Sequence, residues 1–206
     1  MLYDITPPIT ESLAVWPGDT TPTREILLNM KKGDNLTLST LHATVHLGAH
    51  VDGPNHYGAD APPIDERSLN LYLGTCQVIH VDVQRGTRIH VEDVGAKISE
   101  ARVLFRTCTF PDPQNWNNDF AALAPELIDD LHNRGVQLIG IDTPSVDLFD
   151  SKDLPAHKTF LKNDMAILEG IVLSEVPEGR YELIALPLRL VGFDASPVRA
   201  VLRTIS

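Results

Sequence analysis

The feature that most constrains this chain is a histidine-rich stretch at positions 46–56, which reads His-Leu-Gly-Ala-His-Val-Asp-Gly-Pro-Asn-His. Its two glycines and its proline exclude a regular helix across the stretch. His46 and His50 are therefore not predicted as neighbours on one helical face. A tight loop leaving a strand would instead bring His46, His50 and Asp52 together around one ion.

The clustering of histidines in this stretch favours a metal site. The chain has eight histidines, and half of them lie close together in the sequence: His42, His46, His50 and His56. Imidazole and carboxylate groups together suit divalent transition metals such as zinc. The alternative is a polar loop in which the histidines cap backbone groups.

Length, composition and charge limit the remaining possibilities. A chain of 206 residues is expected to form one domain, residues 1–206, with a sizeable core. Its hydrophobic content of 43% and charged content of 22% are typical of a globular protein. The formal net charge of −11 argues against a nucleic acid partner, which requires a basic face. It argues equally against binding to an anionic membrane surface.

The cysteines and the N-terminus indicate a cytoplasmic protein. Cys76 and Cys108 lie far apart in apolar contexts, which fits neither a metal-binding pair nor a disulfide framework. We predict that both are buried free thiols in a reducing compartment. The N-terminus has neither a basic start nor a long apolar core, so no signal peptide is predicted. No apolar run is long enough to span a membrane.

Hydrophobic patterning predicts strands that alternate with helices, and hence an α/β core. Strands are predicted at residues 2–5, 35–45, 76–83, 103–107, 136–141, 165–173 and 181–190, the last with Pro187 marking an edge or a bulge. A helix is predicted around residues 123–131, ended by Gly135, and a short helix at residues 91–99. Residues 24–30 fit either a helix or a strand.

Several polar residues are predicted to have structural roles. They are His80 within a strand, His132 at the end of a helix, Asp60 and Asp65 in an irregular loop, and the turn at residues 142–145. Trp16 lies on a Pro-Gly turn and has two interpretations. Its ring either folds back over the edge of the core or forms the aromatic wall of a pocket.

The second half of the chain offers two further metal ligands. Glu169 interrupts an apolar, strand-like run, and a buried carboxylate must be paired or bind a metal. His157 lies in a polar segment nearby in sequence. With these residues a second ion is feasible, and two ions bridged by carboxylates hold an attacking hydroxide between them. Hydrolysis of a carbonyl compound is therefore the economical interpretation, since no phosphate-binding glycine loop or nucleophile elbow is present.

His56 has two possible roles in such a site. It follows Asp52 by four residues, close enough to reach the metal without being needed as a ligand. An imidazole near its ordinary pKa can accept a proton and later donate it to a leaving amine. It would alternatively serve as a fourth ligand, and spacing does not separate the two roles.

The stretch His46-x-Gly-x-His50-x-Asp52-x-Pro-x-His56 resembles the signature of the cyclase-like metal-dependent hydrolases. Further segments resemble the bacterial kynurenine formamidases of that family, in order along the chain. These are Trp16–Asp19, Gly140–Asp147, Ser151-Lys152 followed by Ala156-His157, Ala166–Val172, Leu183–Leu188 and Ser196–Val201. Because the matching segments extend over essentially the whole chain, the resemblance is more specific than the signature alone.

This resemblance implies an α/β fold of the swivelling β/β/α type, in one sheet-rich domain. The implied reaction is hydrolysis of N-formyl-L-kynurenine to L-kynurenine and formate, in tryptophan degradation. Two zinc ions are implied, although manganese or another divalent ion suits the same ligands. Members of this family are usually dimers, so a homodimer is expected.

The resemblance also implies a role for each site residue. His46 and His50 would bind the first ion, and His157 the second. Asp52 and Glu169 would bridge both ions. His56 would be the acid/base group, and Trp16 would stack on the aromatic ring of the substrate.

One position departs from the pattern of the wider family. Position 49 is Ala, where the wider family usually carries Thr or Ser, but the formamidase branch tolerates Ala there. If the family's hydroxyl is an outer partner of a metal ligand, its absence would weaken ligand orientation. Independently of it, the sequence leaves two rival functions open. The nearest rival is a related amidohydrolase that opens a cyclic amide such as isatin. The second is a non-catalytic metal-binding protein, which the presence of His56 argues against.

Overall fold

The computed structural model describes residues 1–205, and one nine-stranded sheet organises them. In chain order the elements are β1 (Leu2–Asp4), β2 (Thr23–Leu28), β3 (Leu38–His42), β4 (His50–Asp52), β5 (Leu73–His80), β6 (Arg88–Ile89), β7 (Arg102–Arg106), β8 (Ala122–Leu123), α1 (Pro125–Asn133), β9 (Leu138–Ile141), α2 (Pro155–Lys162), β10 (Ala166–Glu169), β11 (Gly179–Ile184), β12 (Ala195–Pro197) and β13 (Val201–Thr204).

The sheet is mixed, with a parallel centre and antiparallel wings. Its strand order is β1-β13-β11-β5-β7-β9-β10-β4-β12. The central strands β5, β7, β9 and β10 run parallel, and every other pairing is antiparallel. Outside this sheet, β2 and β3 form a separate hairpin, and β6 pairs with β8. A large mixed sheet with few helices confirms the predicted α/β fold class.

Each face of the sheet covers its own hydrophobic core, because side chains alternate between the two faces of a strand. On β7, Val103 and Phe105 pack in the cluster that contains the buried residues of α1 and α2. Leu104, between them, packs in the cluster on the opposite face. All three side chains are fully buried. Because both of their faces are buried, the central strands are short, continuous apolar runs in the sequence.

Helix α1 forms where apolar spacing predicted it. Leu127, Ile128 and Leu131 are buried on its inner face, and Pro125 occupies its first turn, where no backbone donor is needed. Gly135 adopts a φ of 89° just after the helix, in the left-handed region that favours glycine at a helix end. His132 lies in the last turn, as predicted.

Several predicted elements are wrong in type or extent. Residues 91–99 form only one 3-10 turn, Val91–Asp93, at whose start the backbone N–H of His90 donates to Asp93 Oδ2 at 2.7 Å. The strand predicted at residues 35–45 is limited to β3, and the strand predicted at 165–173 is limited to β10, which ends before Gly170 with its φ of 65°. The strand predicted at 181–190 ends at Ile184, before Pro187.

Helix α2 was not predicted at all. Its sequence, Pro-Ala-His-Lys-Thr-Phe-Leu-Lys, looks polar, but its polar His157 is buried together with Ala156 and Phe160. The buried face therefore includes a residue that hydropathy counts as exposed. Residues 24–30, left open between helix and strand, form β2 and the start of a 3-10 turn at Met30–Lys32.

The two cysteines have different environments. Cys76 is buried in the sheet, as predicted, whereas Cys108 is exposed, which corrects the prediction of two buried thiols. Cys108 follows the end of β7 with a φ of 56°, and its side chain is exposed although its neighbours Thr107 and Thr109 are buried. Among the described residues, neither helix has the length and apolar character needed to cross a membrane.

Candidate metal centre and substrate cavity

Strand β4 places two of the predicted ligands side by side. His50 and Asp52 alternate with Val51, so both point to one face of the sheet, while Val51 packs into the core on the other. His46 lies in the irregular segment just before β4, and its Nδ1 is 3.3 Å from Asp52 Oδ1. Part of the predicted loop is thus a buried strand.

Strand β10 supplies Glu169 to the same face. Glu169 pairs directly with His50 in the antiparallel register of β10 and β4, which brings their side chains together. His50 Nε2 is 3.2 Å from Glu169 Oε2. The backbone N–H of Val146 donates to Glu169 Oε1 at 2.7 Å and orients the carboxylate. Glu169 is 3% exposed, as its apolar surroundings predicted.

The first turn of α2 supplies His157 from the opposite side. His157 Nε2 lies 3.6 Å from Asp52 Oδ2 and 3.8 Å from Glu169 Oε1. The two carboxylates therefore lie between the histidine pair of the β4 region and the single histidine of α2. The structure brings together all five residues predicted as metal ligands.

Outer hydrogen bonds set the orientation of each of the three histidine rings. His50 Nδ1 is 2.9 Å from the carbonyl oxygen of Gly48, and His157 Nδ1 is 2.8 Å from Asp147 Oδ2. His46 Nε2 is 3.0 Å from Asp194 Oδ2. In each ring, a nitrogen that donates to an oxygen leaves the other nitrogen free to face Asp52. Metal-binding histidines typically have outer partners of this kind.

The donor set fits a divalent metal ion. Both carboxylate oxygens of Asp52 are buried and have no hydrogen-bond partner, although buried polar atoms are almost always satisfied. Single donor atoms of His46, His50 and Asp52 lie within 4.8 Å of one another, as do those of Asp52, His56 and His157. Imidazole and carboxylate donors around an unsatisfied carboxylate are what zinc or a similar ion requires.

The charges of the cluster are strongly coupled. Burial opposes protonation of His46, but the nearby carboxylates of Asp52 and Asp194 outweigh it and raise its pKa to about 9. Burial likewise opposes protonation of His157, while Asp147 and Asp52 raise its pKa to about 10. Burial alone would raise the pKa of Asp52, but the neighbouring histidines hold it well below its usual range.

His56 lies at the edge of this cluster. It ends the 3-10 turn Pro54–His56, and its ring centroid is 4.2 Å from that of His46 and 6.0 Å from that of His157. His56 Nδ1 is 3.7 Å from Asp194 Oδ2, beyond hydrogen-bond distance. Burial lowers the pKa of His56 below its ordinary value, so the neutral imidazole is favoured.

A cavity of about 600 Å³ opens onto the cluster. The residues that line its polar end include His46, His50, His56, His157 and Glu169. Aromatic side chains form much of the remaining wall: Trp16, Phe110 and Trp116.

Trp16 belongs to this aromatic wall and also packs against its neighbours. Its ring centroid is 5.2 Å from that of Phe149 and 5.3 Å from that of Trp116. Both interpretations of Trp16 therefore apply. Its ring packs against apolar neighbours and also forms part of the cavity wall.

The other polar residues singled out in the sequence lie mostly outside the cluster. His42 faces Glu25 on the β2–β3 hairpin, and His80 Nε2 is 2.9 Å from the Val176 carbonyl oxygen. Asp60 is exposed, and Asp65 accepts a hydrogen bond from the backbone of Gly192.

The turn at residues 142–145 is structural and also borders the cavity. Asp142 accepts hydrogen bonds from the backbone N–H groups of Thr107 and Cys108, each at 2.9 Å. Asp142, Pro144 and Ser145 nevertheless line the cavity.

Sequence reasoning missed several residues that border the cluster or the cavity, among them Asp147, Asp194 and Trp116. The two aspartates contact metal-ligand candidates through the outer nitrogens of the histidines. Both lie in or beside segments that carry the family resemblance, which was the available signal. Nothing in their local spacing indicates which histidine each contacts.

Comparison with known families identifies the chain. Residues 3–148, most of its length, match the model of the Cyclase family, described as "Putative cyclase". The chain belongs to the Cyclase family. This confirms the family expected from the histidine signature.

Solved structures agree with this assignment. One, described as a potential metal-dependent hydrolase with cyclase activity, is 29% identical with a TM-score of 0.84, covering 98% of this chain and 96% of that one. A predicted metal-dependent hydrolase from Bacillus stearothermophilus is 28% identical with a TM-score of 0.80, covering 98% and 97%. An isatin hydrolase bound to thioisatinate is 17% identical with a TM-score of 0.83, covering 98% and 91%, and this likeness concerns the fold.

Proposed function

We propose that this protein is a metal-dependent amide hydrolase that converts N-formyl-L-kynurenine to L-kynurenine and formate. The observation that carries the proposal is the position of the buried His/Asp/Glu cluster at the end of an aromatic-walled cavity. A formyl group is small enough to approach the cluster while the aromatic ring of the substrate packs against the aromatic side chains of the cavity wall. The resemblance to the kynurenine formamidases supports the same substrate.

Two ions are proposed, zinc or another divalent metal, held by the five predicted ligands. His46 and His50 would hold the first ion and His157 the second, with Asp52 and Glu169 shared between them. When bound, such ions activate a water molecule and polarise a carbonyl oxygen. The buried, unsatisfied oxygens of Asp52 support its shared position.

His56 is proposed as the acid/base group. It lines the cavity, and burial holds its pKa low, so it is available as a proton acceptor near neutral pH. The protonated ring would then donate to the aniline nitrogen as the C–N bond of the formamide breaks. Trp16 would hold the aromatic ring of the substrate against the wall that it forms with Trp116.

The test is turnover of N-formyl-L-kynurenine by metal-loaded protein, followed by the absorbance of kynurenine, with a chelator-treated sample as the control. Rapid release that the chelator abolishes and added metal restores is the expected result. Isatin is assayed in parallel, because a protein of the same fold hydrolyses that cyclic amide. Opening of isatin without cleavage of the formamide would overturn the proposed substrate but keep the hydrolase assignment.

A further inference from the structure

Asp147 is a buried carboxylate outside the proposed ligand set. It lies in the loop that connects β9 to α2, its side chain is fully buried, and it is not among the residues that line the cavity. Three side-chain and backbone groups on α2 donate to it. His157 Nδ1 is 2.8 Å and His157 N 3.1 Å from Oδ2, and Ala156 N is 3.2 Å from Oδ1.

These contacts replace a cap that α2 lacks. The residue at the helix N-cap, Leu154, has no side-chain oxygen and adopts a left-handed φ of 46°. The first backbone N–H groups of a helix need acceptors, and a negative charge near them is stabilising. Asp147 supplies both from the loop that precedes the helix, so it fixes where α2 begins and thereby the backbone position of His157.

The same carboxylate oxygen also fixes the ring of His157. Because Nδ1 keeps its proton to donate to Asp147 Oδ2, the neutral, metal-binding form of the ring is the tautomer whose Nε2 is free. Nε2 points towards Asp52 and Glu169, at 3.6 and 3.8 Å. One oxygen thus controls both the backbone and the ring of this residue.

Arg88 holds Asp147 from the other side. Its Nη2 donates to Asp147 Oδ1 at 2.8 Å, and its Nη1 donates to the carbonyl oxygen of Leu123 at 2.6 Å. A buried carboxylate needs such compensation to remain charged. Arg88, Asp147 and His157 therefore form a continuous chain from strand β6 to the metal cluster.

We propose that Asp147, held by Arg88, is the positioning residue that presents His157 to its metal ion. The inference rests on the metal site of the proposed function, but not on the identity of the substrate. Asp147 itself touches neither the substrate nor the ion. Its loss is expected to weaken the ion bound by His157 about 10- to 100-fold, the usual effect of removing an outer partner.

The experiment is a titration of the metal-free protein with Co²⁺, whose visible absorption spectrum reports ligand geometry, in competition with a chelating dye. His157→Ala identifies the ion that depends on His157. Asp147→Asn is expected to weaken that ion and alter its spectrum, and Arg88→Met to do so by a smaller factor. Thr159→Val is the matched control, since it removes a hydrogen bond to Pro155 within α2 without touching His157.

Circular dichroism of the metal-free proteins checks that each variant is folded, and Arg88→Met carries the test if Asp147→Asn does not fold. Wild-type cobalt affinity and spectrum in both variants would overturn the proposal, as would an equal loss in Thr159→Val. Unchanged cobalt binding in His157→Ala would overturn it too. Turnover plays no part in this readout, so a protein that binds cobalt as expected but leaves N-formyl-L-kynurenine intact contradicts only the proposed substrate.

Discussion

His56 and His157 border the same carboxylates, yet their surroundings give them different chemistry. His157 is buried, and Asp147 holds one of its nitrogens in a short hydrogen bond. The carboxylate oxygen nearest to His56 Nδ1 belongs to Asp194 and is 3.7 Å away. The ring of His56 borders the cavity. A ring without a fixed partner can exchange protons with a substrate, whereas a ring held on one side is suited to ligating a metal.

Replacing His56 with Ala is expected to lower kcat about 10²- to 10⁴-fold, the usual contribution of a positioned acid/base group, with metal content unchanged. Steady-state kinetics and elemental analysis of the purified variant measure the two quantities. His42→Ala is the control, because His42 lies just before the histidine-rich stretch in the sequence but faces Glu25 on the hairpin. Parallel loss of metal and activity would make His56 a ligand instead.

How much of the site could be predicted depends on where the partner of each residue lies in the chain. Four of its residues share one short stretch, and Glu169 is conspicuous as a charge within an apolar run. The contacts of Asp147 and Asp194 are set by tertiary packing across 10 and 148 residues, respectively. Spacing carries no information on such pairs, so only the assembled fold reveals them.

At the scale of elements, the junction between β10 and the segment before β4 controls the site. Gly170 follows Glu169 directly and has a φ of 65°. A Cβ atom at this position would lie 2.1 Å from the carbonyl oxygen of Gly48, which in turn accepts the hydrogen bond of His50. The two backbones approach this closely only because residue 170 has no side chain.

Gly170→Ala is therefore expected to displace Glu169 and the Gly48 carbonyl, lowering both metal affinity and stability. Gly135→Ala is the matched control, since Gly135 also has a positive φ, 89°, but open space around it. The left-handed conformation costs either alanine about 1–2 kcal/mol, and the clash adds about 1–3 kcal/mol at position 170. Urea unfolding and metal titration compare them, and equal losses would contradict the argument.

The sequence predicted those helices and strands whose buried residues are apolar. The central strands and α1 were found because their buried faces are apolar, while α2 was missed because it buries His157. Strand β12 is only three residues long and contains a proline, so it carries too little pattern to be recognised. Its pairing with β4 nevertheless helps to hold His50 and Asp52 in place.

For the whole molecule, a bound metal is expected to contribute to stability, because the unsatisfied carboxylate of Asp52 is assembled only in the folded chain. An ion present at 1,000 times its Kd stabilises the native state by about 4 kcal/mol. In a protein of this size that corresponds to a rise in Tm of roughly 8–16 °C. Thermal unfolding with and without zinc measures it, and Asp52→Asn, lacking the shared carboxylate, should show a much smaller rise. No shift in the wild type would contradict the proposed site.

The β2–β3 hairpin bears on the expected homodimer. It lies outside the main sheet, and a two-stranded hairpin alone is only marginally stable in water. Its register places Ile26 and Leu41, 50% and 59% exposed, on one face together with Arg24 and Ser39, while Thr23 and Glu25 lie on the other. Large apolar side chains exposed beside an arginine are typical of protein interfaces. We propose that a second copy of the chain covers this face.

Leu41→Glu would place a charge at the centre of that interface and is expected to weaken the dimer at least tenfold, because an unpaired charge there must be desolvated. Thr23→Glu introduces the same charge on the opposite face of the hairpin and should leave the dimer intact. Sedimentation equilibrium over a range of concentrations measures both dissociation constants. Wild-type protein that remains monomeric, or equal weakening by both substitutions, would rule out this face as the interface. Because β3 leads directly into the segment that carries His46, a dimer formed here would also restrain the approach to the metal cluster.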